Sequence, residues 1–168
     1  MLSSIPNYVP SGYKTINVML TVKNVEKALE FYNRAFGAET TMELKQPDGI
    51  VAHAEFKIQD TVIMLTEEGI YQSGPLKLHG TPVTIQIYTP DCEGFFEEAV
   101  KEGAKVLLPI SKQFYGDRSG LLEDPFGHRW IIATHEEDLT ANELQHRFND
   151  LFSQEHQPAI MIRRPLVT

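Results

Sequence analysis

The sequence predicts an α+β protein in which one βαβββ module is written twice, with an extra helix at the C-terminal end. Three observations carry this expectation. Runs that alternate apolar and polar residues return at an offset of about 67 residues, so that Asn17 falls on Thr84, Asn24 on Asp91 and Met64 on Ile131. Each first strand is followed by a capped stretch with an apolar stripe near helical period. Each module ends in a hairpin signal, plainest at Phe114–His135, where Asp124-Pro125-Phe126-Gly127 joins a Gly/Leu run to Trp130-Ile131-Ile132.

In chain order, residues 1–13 hold two prolines, a glycine and three serines and read as an irregular lead-in. The first module spans 14–66. Its opening strand, Lys14–Val22, sets Ile16, Val18, Leu20 and Val22 on one face and Thr15, Asn17, Met19 and Thr21 on the other. Asn24 is placed to cap a helix over Val25–Phe36, with Gly37 as its C′ residue. A strand near Glu39–Lys45 and the hairpin Ile50–Thr66 complete the module. Residues 67–80, with three glycines, a proline and no period, read as a linker loop.

The second module, 81–135, repeats the order. Pro82–Tyr88 alternates, Asp91 caps a helix ending at Gly103, and a strand near Lys105–Lys112 leads into the Phe114–His135 hairpin. The segment 136–168 has no counterpart. Thr140 and Glu143 form a capping box, Leu139 and Leu144 a hydrophobic staple, and the helix beyond carries Leu144, Phe148, Leu151 and Phe152. Its apolar stripe needs the body or a second subunit to cover it. A β-prone patch at Ala159–Ile162 is suited to docking or exchange.

Composition bounds the function. At 168 residues, 42% hydrophobic and 23% charged, the chain is an ordinary globular one, long enough to bury a core. A formal charge of −8 argues against a nucleic-acid partner and suits a neutral or cationic small ligand. The single cysteine, Cys92, excludes an internal disulfide and any Cys-cluster metal site. No run is long and apolar enough to span a membrane, and no basic-then-apolar leader opens the chain, so the cytoplasm is the expected compartment.

One face of each strand is aliphatic, which predicts a helix packed across it. The opposite faces collect Asn17, Met19 and Thr21; His53, Glu55 and Lys57; Met64 and Thr66; Thr84, Gln86 and Tyr88. That mixture suits a concave, partly wet surface with a few polar groups to orient a ligand.

The doubled order, the FYNRAFGAE helix end and the EDPFGHRW hairpin resemble the vicinal-oxygen-chelate superfamily, also called the glyoxalase/bleomycin-resistance/dioxygenase superfamily. The run QFYGDRSGLLEDPFGHRWIIATHEED is similar to its PhnB-like, glyoxalase-like branch. The resemblance implies paired βαβββ modules whose antiparallel-rich sheets curl into half-barrels around a cavity, with the helices outside. Many members bind a divalent metal there for lyase, isomerase, dioxygenase or thiol-transfer chemistry; those resembling bleomycin-resistance proteins bind a ligand without metal. Fold alone does not choose between them.

The resemblance places the metal ligands on the cavity face of the first and last strands of each module. Here those places hold Asn17, Met64, Thr84 and Ile131, where imidazole or carboxylate is needed. The expectation is therefore no metal and no cofactor. His53 and Glu55, two residues apart on one face, are the alternative: part of an unconventional metal site, or a metal-free acid-base pair. By parity His128 joins Trp130, facing the helix side or solvent, whereas His135 shares Ile131's parity at or beyond the strand end. In the Tyr115–Gly120 run, Arg118 either offers its guanidinium to an anionic substrate group, with Tyr115 at the cavity mouth, or pairs structurally with Asp117. A four-residue DPFG loop puts Arg118, Gly120 and Leu122 on the cavity face, and one residue more reverses them.

The reading that results is a homodimeric protein binding a small organic ligand at Asn17, His53, Glu55, Met64, Thr84, Gln86, Tyr88, Tyr115 and Arg118. The alternative is a lyase, isomerase or dioxygenase-type enzyme working through His53 and Glu55.

Overall fold

A computed structural model describes residues 8–153. Strand β1 (Val18–Val22) leads through helix α1 (Val25–Phe36) to β2 (Glu39–Lys45), β3 (Val51–Ile58) and β4 (Thr61–Glu67). A one-turn helix, α2 (Pro75–Leu78), interrupts the segment read as a linker. Then β5 (Thr84–Tyr88), α3 (Cys92–Lys101), β6 (Lys105–Lys112), β7 (Asp117–Glu123) and β8 (Arg129–His135) repeat the first order, and α4 (Ala141–Ser153) follows. The patch Ala159–Ile162 lies outside the described residues.

Both modules fold into a four-stranded sheet of the same topology, β1-β4-β3-β2 and β5-β8-β7-β6. The first and last strands of each module are parallel neighbours and the other pairs are antiparallel. The parallel pair follows from the connection, because a helical crossover returns the chain in the same direction.

Local chemistry explains the boundaries. Asn24 accepts from the Lys27 backbone N–H at 3.0 Å and Asp91 from that of Gly94 at 2.9 Å, capping α1 and α3. Gly37 ends α1 at φ 60°, where a side chain is strained. The first strand starts at Val18 rather than Lys14, because the Asn17 carboxamide closes a turn on Lys14. It accepts from the Lys14 N–H at 2.9 Å and donates to the Lys14 carbonyl at 2.7 Å. That Asx-type turn competes with the extended backbone.

The two sheets share a helical layer. Tyr32 on α1 stacks on Phe56 of its own sheet at 4.8 Å and lies 5.5 Å from Trp130 of the other. Phe36 stacks on Phe95 of α3 at 5.5 Å and meets Trp130 at 4.9 Å. Tyr32, Phe56, Trp130, Leu122 and Ile132 are fully buried. Burying each such side chain is worth about 1.5–3 kcal/mol, which makes this aromatic seam the main link between modules.

Asp124 fastens the seam. Its Oδ2 accepts from the Tyr32 hydroxyl at 2.7 Å and from Trp130 Nε1 at 2.8 Å. Its Oδ1 accepts from the backbone N–H groups of Phe126 and His128, both at 2.9 Å. Burial pushes the Asp124 carboxyl up, and the bonds from Trp130 and Tyr32 oppose that shift. His128 bonds the Thr21 carbonyl of β1 at 3.1 Å, a tie between the two modules. The EDPFGHRW signature is thus a structural fastener.

The helices cover one face of each sheet, and part of the other face is open to solvent. Met19 on β1 is 48% exposed and Tyr88 on β5 is 53% exposed.

Candidate functional site on the open sheet faces

The hairpin loop decides which residues face the cavity. Glu123 pairs with Arg129, so five residues, Asp124–His128, form the turn. Asp117, Ser119 and Leu121 therefore share the concave face with Ile131, Ala133 and His135. Arg118, Gly120 and Leu122 lie on the helix side, opposite Thr134, Ile132 and Trp130. This corrects the expectation for Arg118. Its guanidinium pairs with Glu93 in the first turn of α3, with Nε at 2.8 Å, and is turned away from the cavity. Gly120 is required on that side, because a Cβ there would lie 2.7 Å from the Phe96 ring.

On the second concave face a polar cluster is built around Asp117, which is 3% exposed. The Tyr88 hydroxyl donates to its Oδ2 at 2.8 Å and His135 Nδ1 to its Oδ1 at 2.8 Å. His135 Nε2 bonds Asp138 at 3.0 Å. The Asp117 hydrogen bond raises the Tyr88 hydroxyl above its ordinary value, and Asp117 followed by Asp138 raises the His135 imidazole. Tyr115 closes over the next pair of residues, with its hydroxyl 3.4 Å from Ser119 Oγ. Beside this cluster a hollow of about 320 Å³ is lined by Leu108, Phe114, Tyr115, Ser119, Leu121 and Ile131. That is a size and lining suited to a small organic molecule.

The first concave face carries a simpler arrangement. Glu55 sits opposite Met64, which sits opposite Met19, and His53 sits opposite Thr66. The Tyr13 hydroxyl, from the lead-in, donates to Glu55, and this bond raises the Tyr13 hydroxyl. His53 Nε2 is 4.0 Å from Glu55, beyond hydrogen-bond reach.

Of the residues expected at the site, His53, Glu55 and Met64 meet on the first face, and Thr84, Gln86, Tyr88 and Tyr115 on the second. Asn17 is spent on its turn and Arg118 is on the wrong side. Asp117, Ser119 and His135 were missed as site residues. The signal for them was the length of the 124–128 turn, which sets the phase of the whole hairpin.

The positions where the fold family holds a divalent ion do not fit one. The Asn17 carboxamide is committed to Lys14, Met64 offers a thioether, and Ile131 has no lone pair. Thr84 pairs in register with Arg129, whose guanidinium is a poor neighbour for a cation. Among the described residues, no group of three His, Cys, Asp or Glu side chains is arranged to hold a metal.

Two matched sheets around shared helices, each built from one βαβββ module, define the paired-βαβββ class of fold. The profile of the Glyoxalase/Bleomycin resistance protein/Dioxygenase superfamily matches residues 15–132, and the chain belongs to that superfamily. It is 34% identical over 131 residues to the uncharacterized protein Rv0887c of Mycobacterium tuberculosis, a match covering 75% of this chain and 77% of that one. An Arabidopsis thaliana gene product, At5g48480, has a similar structure at a TM-score of 0.60 and 26% identity, covering 74% of this chain and 99% of the other. TioX from Micromonospora sp. ML1 superposes with a TM-score of 0.58 at 21% identity, covering 76% of this chain and 100% of that one; it shares the fold. No helix among the described residues is long and apolar enough to cross a membrane.

Proposed function

We propose that this protein, of the PhnB-like branch, binds a small organic ligand on its concave faces without a divalent metal, and that a second copy of the chain closes the cavity. The observation that carries the reading is the contrast on the second face between an apolar hollow at Leu121 and Ile131 and, beside it, the buried Asp117 carboxylate that holds the half-exposed Tyr88 and His135. An apolar floor supplies binding energy, and a few fixed polar groups supply orientation. The family's metal corners offer no competing chemistry, because their donors are a committed amide, a thioether, a hydroxyl and an alkyl group. The dimer follows from exposure: both faces present large apolar and aromatic groups, Met19, Leu44 and Tyr88 among them, that a partner's module would cover. The enzyme alternative at His53 and Glu55 is less favoured, because the Glu55 carboxylate receives the Tyr13 hydroxyl and His53 stands 4.0 Å from it.

The test is a panel of small aromatic and aliphatic compounds followed by amide chemical shifts of the full chain, alongside titration with Zn, Ni, Co and Mn. The expected result is saturable shifts at Tyr115, Ser119, Leu121 and Ile131, with a metal-induced gain in Tm of no more than about one or two degrees. Stoichiometric metal binding at the four corner positions, or compounds that shift only residues off the concave faces, overturns the proposal.

A further inference from the structure

His135 has a carboxylate on each nitrogen, Asp117 at 2.8 Å and Asp138 at 3.0 Å. An ionised carboxylate only accepts, so with both carboxylates ionised this geometry favours a hydrogen on each ring nitrogen, the imidazolium form. The two carboxylates differ in kind. Asp117 is buried and also holds Tyr88, which fixes it as part of the sheet. The Asp138 side chain is fully exposed on the connector to α4. The connector does not depend on it. The backbone N–H groups of Glu136 and Glu137 both bond the Gly116 carbonyl at 3.0 Å, and Glu137 takes Lys112 at 3.0 Å and Arg147 at 2.6 Å. Asp138 is therefore a loosely held anion on a firmly held cation.

We propose that His135 is the anion-binding group of the second concave face: it receives the carboxylate of a small ligand whose apolar body lies toward Leu121 and Ile131, in the place Asp138 occupies in the free protein. Resting on the ligand-binding reading above, it names the ligand class, an apolar monocarboxylate. The spacing fits. On a strand with a rise of about 3.3–3.4 Å per residue, His135 stands about 7 Å from Ala133, the cross-strand partner of Ser119, and about 13 Å from Ile131. A carboxylate joined by a short chain to an aromatic ring spans that interval. The charged and titratable groups facing His135 are Asp117 and Tyr88 from the sheet and Asp138 from the connector. Binding accordingly weakens as the imidazolium loses its proton.

The test uses 4-phenylbutyrate and its uncharged amide against the full chain at about pH 6, where an imidazolium persists, read by the ring-nitrogen shifts of His135 and the amide shifts of the concave face. The carboxylate is expected to bind at least about tenfold more tightly than the amide. Asp138→Asn, which removes the internal competitor, is expected to tighten phenylbutyrate about three- to tenfold, and His135→Gln to erase the preference for the carboxylate. Equal binding of acid and amide, with shifts still centred on Leu121 and Ile131, overturns the role of His135 and leaves the ligand cavity standing. An unchanged affinity in Asp138→Asn also overturns it. No concave-face response to either probe up to about 20 mM counts against both readings.

Discussion

The two concave faces are built on the same backbone and share one device: an acidic residue of the central antiparallel strand receives a tyrosine hydroxyl. On the first sheet the pair is Glu55 with Tyr13, and on the second it is Asp117 with Tyr88. The difference lies in where the tyrosine comes from and what else the acid holds. Tyr13 arrives from the irregular lead-in, and the nearby His53 stays 4.0 Å from Glu55. Tyr88 arrives from β5 within the same sheet, and Asp117 also orders His135, which reaches on to Asp138. Repetition of the module fixed the frame twice, but among the described residues it is the second copy that sets a buried acid with two side-chain partners next to an apolar hollow. The polar chemistry of the two faces is therefore asymmetric although their architecture is symmetric.

The largest expected effect lies at the seam both faces depend on. Asp124→Ala strands the Tyr32 hydroxyl and Trp130 N–H in the core and should cost about 3–5 kcal/mol, lowering Tm by about 8–15 °C in a thermal melt. Next is the direct comparison of the two acids. Asp117→Asn, at a buried acid, should cost about 1–3 kcal/mol in urea unfolding, whereas Glu55→Gln should cost about 0.5–1 kcal/mol. Equal losses would mean that the two faces are equally built.

A pH series sharpens the same contrast. The His135 value is raised in the folded chain, first by Asp117 and then by Asp138. Its contribution to stability is thus fully present below the unfolded value near 6.5 and lost as pH rises through the higher folded value. The Tm difference between the native chain and His135→Gln should be largest in mild acid and shrink above neutrality. The smallest effect is expected for Arg118→Ala. This surface ion pair with Glu93 lies off the cavity, so Tm should move by about one degree or less and ligand affinity should not change.

Much of the frame was legible in the sequence, because alternation, caps and a doubled pattern are local signals. The bounds Val25–Phe36 of α1 follow from Asn24 and Gly37, and the Thr140–Glu143 capping box forms as the residues predict. The family was legible as well, through EDPFGHRW. The site was half legible. Parity assigned Tyr88, Gln86 and Met64 to open faces, but hairpin phase depends on one residue of turn length, and that residue reversed Arg118 and brought in Asp117. The Asn17 turn was hidden for a related reason: a polar side chain in an alternating run reads as strand until its hydrogen bonds to Lys14 are seen.

The most direct measurement of the central claim is ligand binding by Ile131→Trp, which fills the hollow from its floor while the opposite side of β8 still packs through Trp130 and Ile132. Compounds that bind the native chain should lose their chemical-shift response in this variant, with its Tm and amide spectrum otherwise native-like. Retention of the same affinity in a folded Ile131→Trp chain would contradict the account.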